Sequence, residues 1–307
     1  MNNQLILGIE SSCDDTSAAV LKGTQILANI THTQLIHEAY GGVVPELASR
    51  AHIEHIIPVV NRAIETAQIS LKDIDAIAFT QGPGLMGSLV VGTSFAKGLA
   101  LALTKPLIGV HHMKAHILSH FITHEGMTAP SFPYLCLTVS GGHTQLVVVH
   151  DALHMEIIGK TIDDAAGEAF DKAAKMLGLP YPGGPLIDQY GHNGNPMAFT
   201  FAEPNIPELN FSFSGLKTSI LYFLKKEVAK NPDFVAVNLT DLCASIQHSI
   251  TEILLKKLKK AQQQTGITCI AVSGGVSVNR GLRAKLEAWQ ATNPKLTIHV
   301  AHPSYCT

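Results

Sequence analysis

The sequence predicts an α/β protein built from two similar halves. Three observations point there. Short apolar runs alternate with stretches whose apolar residues recur at helical spacing. Each half opens on a strand hairpin with a small polar turn, ESSCDDTS in the first and SGGHTQ in the second. No low-complexity linker separates the halves, and the second begins near Ser131. An N-terminal domain over 1–130 and a C-terminal domain over 131–307, facing each other across a cleft, are expected.

QLILGIE, the first element, reads as a strand, and SAAVLKGTQILANI continues it as a hairpin around Gly23. From Pro45 to Thr66 the apolar positions fall at helical spacing. IDAIAFTQGPG is a buried strand ending in a Gly-Pro-Gly turn, and SLVVGTSFAKGLALAL is a small-residue helix. Lys97, Lys105 and Pro106 interrupt this apolar segment, so a buried helix leading into the strand LIGVHH is expected rather than a membrane span. In the second half, PYLCLTVSGGHTQLVVVHDA is a hairpin around Gly141 and Gly142. A polar, glycine-rich region, IDDAAGEAFDKAAKMLGLPYPGGP, comes next, and then FSFSGLKTSILYFLKKEV. A long amphipathic helix is expected from Asp241 to Gln264, capped by Thr240 and ended by Gly266. ITCIAVSGGVSVNRGLRAKL then gives strand, glycine turn and helix.

Composition sets the outer bounds. Hydrophobic residues make up 46% of 307 and charged residues 15%, which excludes a disordered chain. The net charge of −2 supplies no global basic field for nucleic acid. RNA handling would need local patches or charge borrowed from a partner. The runs Lys217, Lys225, Lys226 and Lys256, Lys257, Lys259, Lys260 are the candidates for phosphate contact, or else solvated helix faces. Five scattered cysteines without CxxC spacing read as reduced thiols of a cytosolic protein. MNNQLILGIESS carries no basic stretch, so no signal peptide is expected.

The chemistry-bearing residues cluster in a few short stretches. In GVHHMKAHILSH, His112, His116 and His120 share one stripe of a helix, the spacing by which two imidazoles reach one metal ion. Surface or core histidines are the alternative. Met113 stands where a zinc protease places its glutamate, which argues against that chemistry. Two imidazoles need a third ligand from elsewhere in the chain. GIESSCDDTS brings Glu10, Asp14 and Asp15 together, either around a cation or donor or as a solvated turn. Glu46, Arg50 and His52 line a cleft or open an ordinary helix. The turns SGGHT and SGGVSVN let backbone N–H groups approach an anion, and the second opens a helix at Asn279. Together they point to a nucleotide.

With these stretches in hand, the chain resembles the bacterial TsaD family, tRNA threonylcarbamoyladenosine transferases once described as O-sialoglycoprotein endopeptidases. GIESSCDDTS, YGGVVPELASRAH, QGPGLMGSL, GVHHMKAH, VSGGHTQL, DDAAGEAFDKAAKMLGLPYPGGP, FSFSGLKT and SGGVSVNRGLR carry the resemblance in order, from Gly8 to Arg283. It implies an actin-like ATPase fold of the sugar-kinase and Hsp70 group, with two similar RNase H-like lobes around a nucleotide cleft. It implies transfer of the threonylcarbamoyl group from threonylcarbamoyl-AMP to the N6 amine of the adenosine 3′ of the anticodon, in tRNAs reading A-starting codons. It maps metal ligands to His112 and His116, with His111 and His120 outside the set. It maps substrate-binding positions to Thr138, Val139, Ser140, Gly141, Gly142, Asp171, Gly184, Asp188 and Asn279. It puts Asp14 and Asp15 at an acidic pair that reads Asp-Glu in most relatives.

One divalent metal ion per subunit is implied, Fe(II) first and Zn(II) as the alternative. Asp14 or Asp15 is the expected base for the amine proton. The third metal ligand of the family is an aspartate one step beyond Thr307, where the sequence stops, so a truncated C-terminus is expected, the alternative being a weakly held metal with water in that position. The resemblance also implies TsaB as dimer partner, the ATPase TsaE, a cytoplasmic location and no membrane. A metal-dependent peptidase and a free-standing actin-like ATPase or kinase are the rival readings.

Overall fold

Both sheets of the computed structural model have the same strand order. The structure describes residues 3–123 and 126–306, and the chain divides into two units, Met1–Ala129 and Pro130–Thr307. Thr307, on which the expected truncation turns, lies outside the described residues.

The first unit runs β1 (Leu5–Glu10), β2 (Asp15–Lys22), β3 (Gln25–Thr33), α1 (Pro45–Ala67), β4 (Ala76–Gly82), α2 (Met86–Leu103), β5 (Leu107–His111) and α3 (His112–Leu118). Its sheet has the order β3-β2-β1-β4-β5. β1 pairs antiparallel with β2 and parallel with β4, and β5 joins β4 in parallel. Pro45 sits in the first turn of α1, where its missing N–H costs nothing. Leu7, Ile9 and Ile77 of the sheet pack with Ile56 and Val60 of α1 and Ala96 and Ala100 of α2. Each large side chain buried this way stabilises by about 1.5–3 kcal/mol.

The helix α2 is not buried on every side as expected. Ser88, Gly92, Ala96 and Ala100, spaced by four, form its buried stripe, while Met86, Val90 and Leu101 stay exposed. Small residues let α2 approach its neighbours closely and leave its larger apolar side chains outside. By length and composition it is the one helix among the described residues apolar enough to cross a membrane.

The second unit runs β6 (Tyr134–Val139), β7 (Thr144–Val149), β8 (Met155–Lys160), α4 (Ala166–Met176), α5 (Gly183–Gly191), α6 (Ser214–Lys230), α7 (Phe234–Val237), α8 (Leu239–Thr265), β9 (Cys269–Ser273), α9 (Arg280–Ala291) and β10 (Thr297–Val300). The order β10-β9-β6-β7-β8 is that of the first sheet read from its other end. Every residue of β6 and β7 is buried, the polar Thr138, Thr144 and Gln145 along with the apolar runs YLCL and LVVV. Leu135, Leu137, Ile270 and Val272 of the sheet meet Phe170 of α4 and Ile246, Ile250 and Leu254 of α8 in one core.

Two expectations need correction here. The long helix begins at Leu239, so Thr240 lies inside its first turn and Asn238 precedes it. Gly266 does end it, in a left-handed conformation at φ 69°. The region 162–185, read as polar and glycine-rich, contains all of α4 and the start of α5.

Candidate functional site

In the first unit, neighbouring parallel strands bring the candidate residues together. β1, β4 and β5 lie side by side, so Glu10, Thr80 and the start of α3 meet at their carboxyl ends. Glu10 Oε2 accepts from Thr80 Oγ1 at 2.5 Å and lies 3.1 Å from His112 Nδ1. Glu10 Oε1 accepts the backbone N–H of Ser12. Burial would raise the Glu10 carboxyl, but the hydrogen bond and charge of His112, with the bonds from Ser12 and Thr80, outweigh it and hold the group at about 2.

His116 comes one turn later, buried, with its ring edge-on to His112 and centroids 4.7 Å apart. The expected three-histidine stripe breaks after it. α3 ends at Leu118, and His120 falls on a separate tight turn, Ser119–Phe121. Two imidazoles one turn apart, one tied at its far nitrogen to a carboxylate, form a donor set that fits a borderline divalent ion. Among the described residues, no group of three or more His, Cys, Asp or Glu side chains forms around a common point.

The turn 11–16 is held from several directions. Ser11 Oγ donates to the Ser88 carbonyl at 3.0 Å, and a Cβ at Gly92 would strike that hydroxyl. A Cβ at Gly84 would stand 2.5 Å from the Ser12 carbonyl oxygen. Gly84 and Gly92 therefore let α2 and the loop before it close onto this turn. His52, fully buried, lies 2.7 Å from Thr16 Oγ1 and 3.0 Å from the Cys13 carbonyl. Asp15 opens β2, and its Oδ1 is buried with no hydrogen-bond partner. Burial pushes its carboxyl up; the Thr33 hydroxyl opposes this, and the charges of Asp14 and Glu10 add to it. The Asp14 carbonyl accepts from Gln34 N at 3.1 Å. Glu46 and Arg50 form an exposed pair on α1 at 2.7 Å, apart from this network.

In the second unit, the two glycine turns stand side by side because β6 and β9 are parallel neighbours, with Thr138 opposite Ser273. Thr138 and Val139 are fully buried in the sheet. Ser140 begins the turn proper: its N–H donates to the His143 carbonyl at 2.8 Å, and its Oγ accepts from His143 N at 3.1 Å. A Cβ at Gly141 or Gly142 would meet nothing within 4 Å, so the space above this turn is open. Gly274 differs. Its φ is 90°, and a Cβ there would strike the Val139 carbonyl oxygen, so it serves the close approach of β9 to β6.

The remaining mapped positions knit the surrounding helices. Asp171 accepts from Gly183 N at 2.8 Å and Gly184 N at 3.1 Å, capping α5. Asp188 receives Arg280 Nε at 2.7 Å and the Arg280 backbone N–H at 3.1 Å. Asn279 is buried; its Oδ1 caps α9 through Leu282 N at 3.0 Å, and its Nδ2 donates to Gln247 Oε1 at 2.8 Å.

The lysine runs are largely engaged within the chain. Lys217 pairs with Asp164 at 2.8 Å, Lys256 with Glu203, and Lys257 donates to the Ile206 and Glu208 carbonyls. Lys260 reaches the same Glu208 carbonyl, and Lys259 sits 5.6 Å over the Trp289 ring. Lys225 and Lys226 are exposed on α6.

Sequence reading did not pick out Thr80, Ser12, Gln247 or Arg280. Strand alternation through IAFT could have placed Thr80 at the end of β4. Arg280 stands directly after the selected Asn279, but its pairing with Asp188 bridges 92 positions and leaves no local signal.

The model of the family described as TsaD, tRNA N6-adenosine threonylcarbamoyltransferase, matches residues 25–307. The tRNA N6-adenosine threonylcarbamoyltransferase of Christiangramia forsetii is 59% identical over 296 residues, covering 94% of this chain and 87% of the relative. That of Riemerella anatipestifer is 57% identical over 305 residues, covering 99% and 89%. Among solved structures, HypF of T. kodakarensis superimposes with a TM-score of 0.63 at 14% identity, covering 98% of this chain and 45% of HypF. Component A of the Acidaminococcus fermentans (R)-2-hydroxyglutaryl-CoA dehydratase gives 0.54 at 15% identity, covering 99% and 94%. At such identities the structural likeness speaks to fold alone, and that fold is the actin-like ATPase type.

Proposed function

The chain belongs to the TsaD family of tRNA N6-adenosine threonylcarbamoyltransferases, and on that premise we propose a division of the transfer chemistry among its residues. The reaction carries the threonylcarbamoyl group from threonylcarbamoyl-AMP to the N6 amine of the adenosine 3′ of the anticodon. Family membership carries the reading of the activity, and the site geometry supports the role of each residue.

An adenine N6 amine is a weak nucleophile, because its lone pair is shared with the ring. The donor is a mixed anhydride whose AMP leaves readily. The bond from N6 to the carbamoyl carbon forms as the bond from that carbon to the phosphate oxygen breaks, and N6 gives up a proton. The protein has to orient both partners and stabilise charge on the carbonyl and phosphate oxygens.

The turn Ser140–Gly142, with open space above its glycines, receives the donor's phosphate through backbone N–H groups. Gly184, Asp188 and Asn279 surround the nucleotide, with Asp171 and Arg280 holding the helices that carry them. Asp15 takes the N6 proton, because burial and neighbouring carboxylates make it a stronger base than an ordinary aspartate. Asp14 shapes the same turn. His112 and His116 would hold a divalent ion, Fe(II) or Zn(II), which as a Lewis acid would polarise the donor's oxygens.

With a net charge of −2 and most of the lysine runs engaged internally, binding of tRNA is shared with partners. A heterodimer with TsaB, assisted by the ATPase TsaE in the cytoplasm, is the assembly we propose. The test is co-substrate dependence: threonylcarbamoyl-AMP should be consumed with stoichiometric acylation of tRNA and not without tRNA. Steady ATP turnover lacking both would instead indicate a free-standing ATPase.

A further inference from the structure

We propose that Glu10 is a positioning residue that fixes His112 as its Nδ1–H tautomer and leaves Nε2 as the only imidazole nitrogen able to ligate. The inference rests on the proposed metal role of His112 and His116 and takes it one layer outward.

Donors and acceptors around the carboxylate fix where the hydrogen lies. The Glu10 carboxylate meets three groups: the Ser12 backbone N–H, the Thr80 hydroxyl and His112 Nδ1. An amide N–H can only donate, so Oε1 acts as an acceptor. Oε2 accepts from Thr80 at 2.5 Å, a length typical of a hydroxyl donating to a charged oxygen. A carboxyl proton on Oε2 would have to compete with that bond. The remaining arrangement puts the hydrogen on Nδ1, donating to Oε2 at 3.1 Å with Ser12 Oγ as a second acceptor at 3.3 Å.

The ring is also fixed in direction. Glu10 ends β1, Thr80 lies near the end of β4, and His112 starts α3 directly after β5. Three adjacent strands of one sheet thus set the distance between carboxylate and imidazole. The His116 ring meets the His112 ring at 81°, holding it from another side. An imidazole without such a partner is free to carry its proton on Nε2, where it blocks coordination. Carboxylate-bound histidines of this kind have raised ligand basicity, and losing the carboxylate costs about 10- to 100-fold in metal affinity.

The test uses the full chain, metal-free and labelled with ¹⁵N-histidine, at a pH above the ordinary histidine range. Long-range ¹H–¹⁵N spectra should show His112 as the Nδ1–H form in the wild type and in Ser12→Ala, where Oε2 remains. In Glu10→Ala the signal should move toward Nε2–H, and zinc titration should show affinity about 10- to 100-fold weaker. Glu10→Gln keeps the size but loses one acceptor oxygen. It should move the same way by a smaller amount, and it serves if Glu10→Ala fails to fold. A wild-type His112 in the Nε2–H form would overturn the proposal, as would a Glu10→Gln spectrum and zinc affinity identical to the wild type. Wild-type protein that takes up no zinc would overturn the metal reading instead, while the spectrum still decides the tautomer.

Discussion

His52 Nε2 lies 3.0 Å from the carbonyl oxygen of Cys13, and the imidazole is fully buried. A carbonyl only accepts, so Nε2 carries the hydrogen, and Nδ1 accepts from the Thr16 hydroxyl at 2.7 Å. A neutral histidine thus pins α1 to the turn that bears Asp14 and Asp15. Replacing it with alanine leaves a cavity and an unsatisfied carbonyl, and should cost about 2–4 kcal/mol in urea denaturation. Burial lowers the His52 pKa from 6.5, so below that value the unfolded chain binds a proton that the folded chain resists. Stability should fall as pH drops through this range, and His52→Ala should lose that part of the slope.

Glu10 gives a second, separate pH signature. Its folded carboxyl is held at about 2 against 4.5 in the open chain, so its stabilisation is complete above about 4.5. It is lost as pH falls through about 2, and it amounts to about 3 kcal/mol. Acid titration of stability by circular dichroism should show Glu10→Gln less stable than wild type at neutral pH and level with it at the acid end.

The proposed proton transfer to Asp15 separates binding from chemistry. Asp15→Asn should slow transfer by about 10²- to 10⁴-fold. Affinity for the adenylate donor, read by calorimetry with a non-transferable analogue, should stay close to wild type. Burial raises the Asp15 carboxyl above 3.8, so the wild-type rate should climb with pH at a value higher than an ordinary aspartate gives. A matching loss of donor affinity would move Asp15 from proton transfer to donor binding.

The two glycine turns should respond in opposite ways to a single methyl group. Gly274 has φ 90° with the Val139 carbonyl oxygen in the path of a Cβ, so Gly274→Ala should destabilise the second unit by about 3 kcal/mol or more. Gly141 has open space above it, so Gly141→Ala should cost less than about 1 kcal/mol in folding. The methyl group then occupies the place proposed for the phosphate, and donor affinity should fall at least about tenfold. Thermal melts and equilibrium binding on the two variants measure both effects.

Much of this arrangement was legible in sequence because it is local. Apolar runs such as LILGIE and YLCLTV set the inner strands, and the duplication showed in the two hairpin openings. His112 and His116 were readable from spacing alone, since one helical turn brings them together. The same spacing put His120 on that stripe, whereas α3 ends at Leu118 and His120 falls on the separate tight turn Ser119–Phe121. α4 went unread because Phe170 is the one large side chain among its buried residues, the rest being Ala166, Gly167, Ala169, Ala173 and Ala174 within a stretch that otherwise reads as polar and glycine-rich. Asn279 showed its helix-opening role, but its bond to Gln247 depends on how α8 packs. The Glu10–His112 contact spans 102 positions, and only the strand order β1-β4-β5 creates it.

The most direct measurement is mass spectrometry of tRNA nucleosides after incubation with this chain, the two proposed partner proteins and isotopically labelled threonylcarbamoyl-AMP. The label is expected on N6 of the adenosine 3′ of the anticodon, dependent on this chain and strongly reduced by Asp15→Asn. Labelled donor broken down to AMP with every tRNA adenosine left unmodified would contradict the assigned transfer.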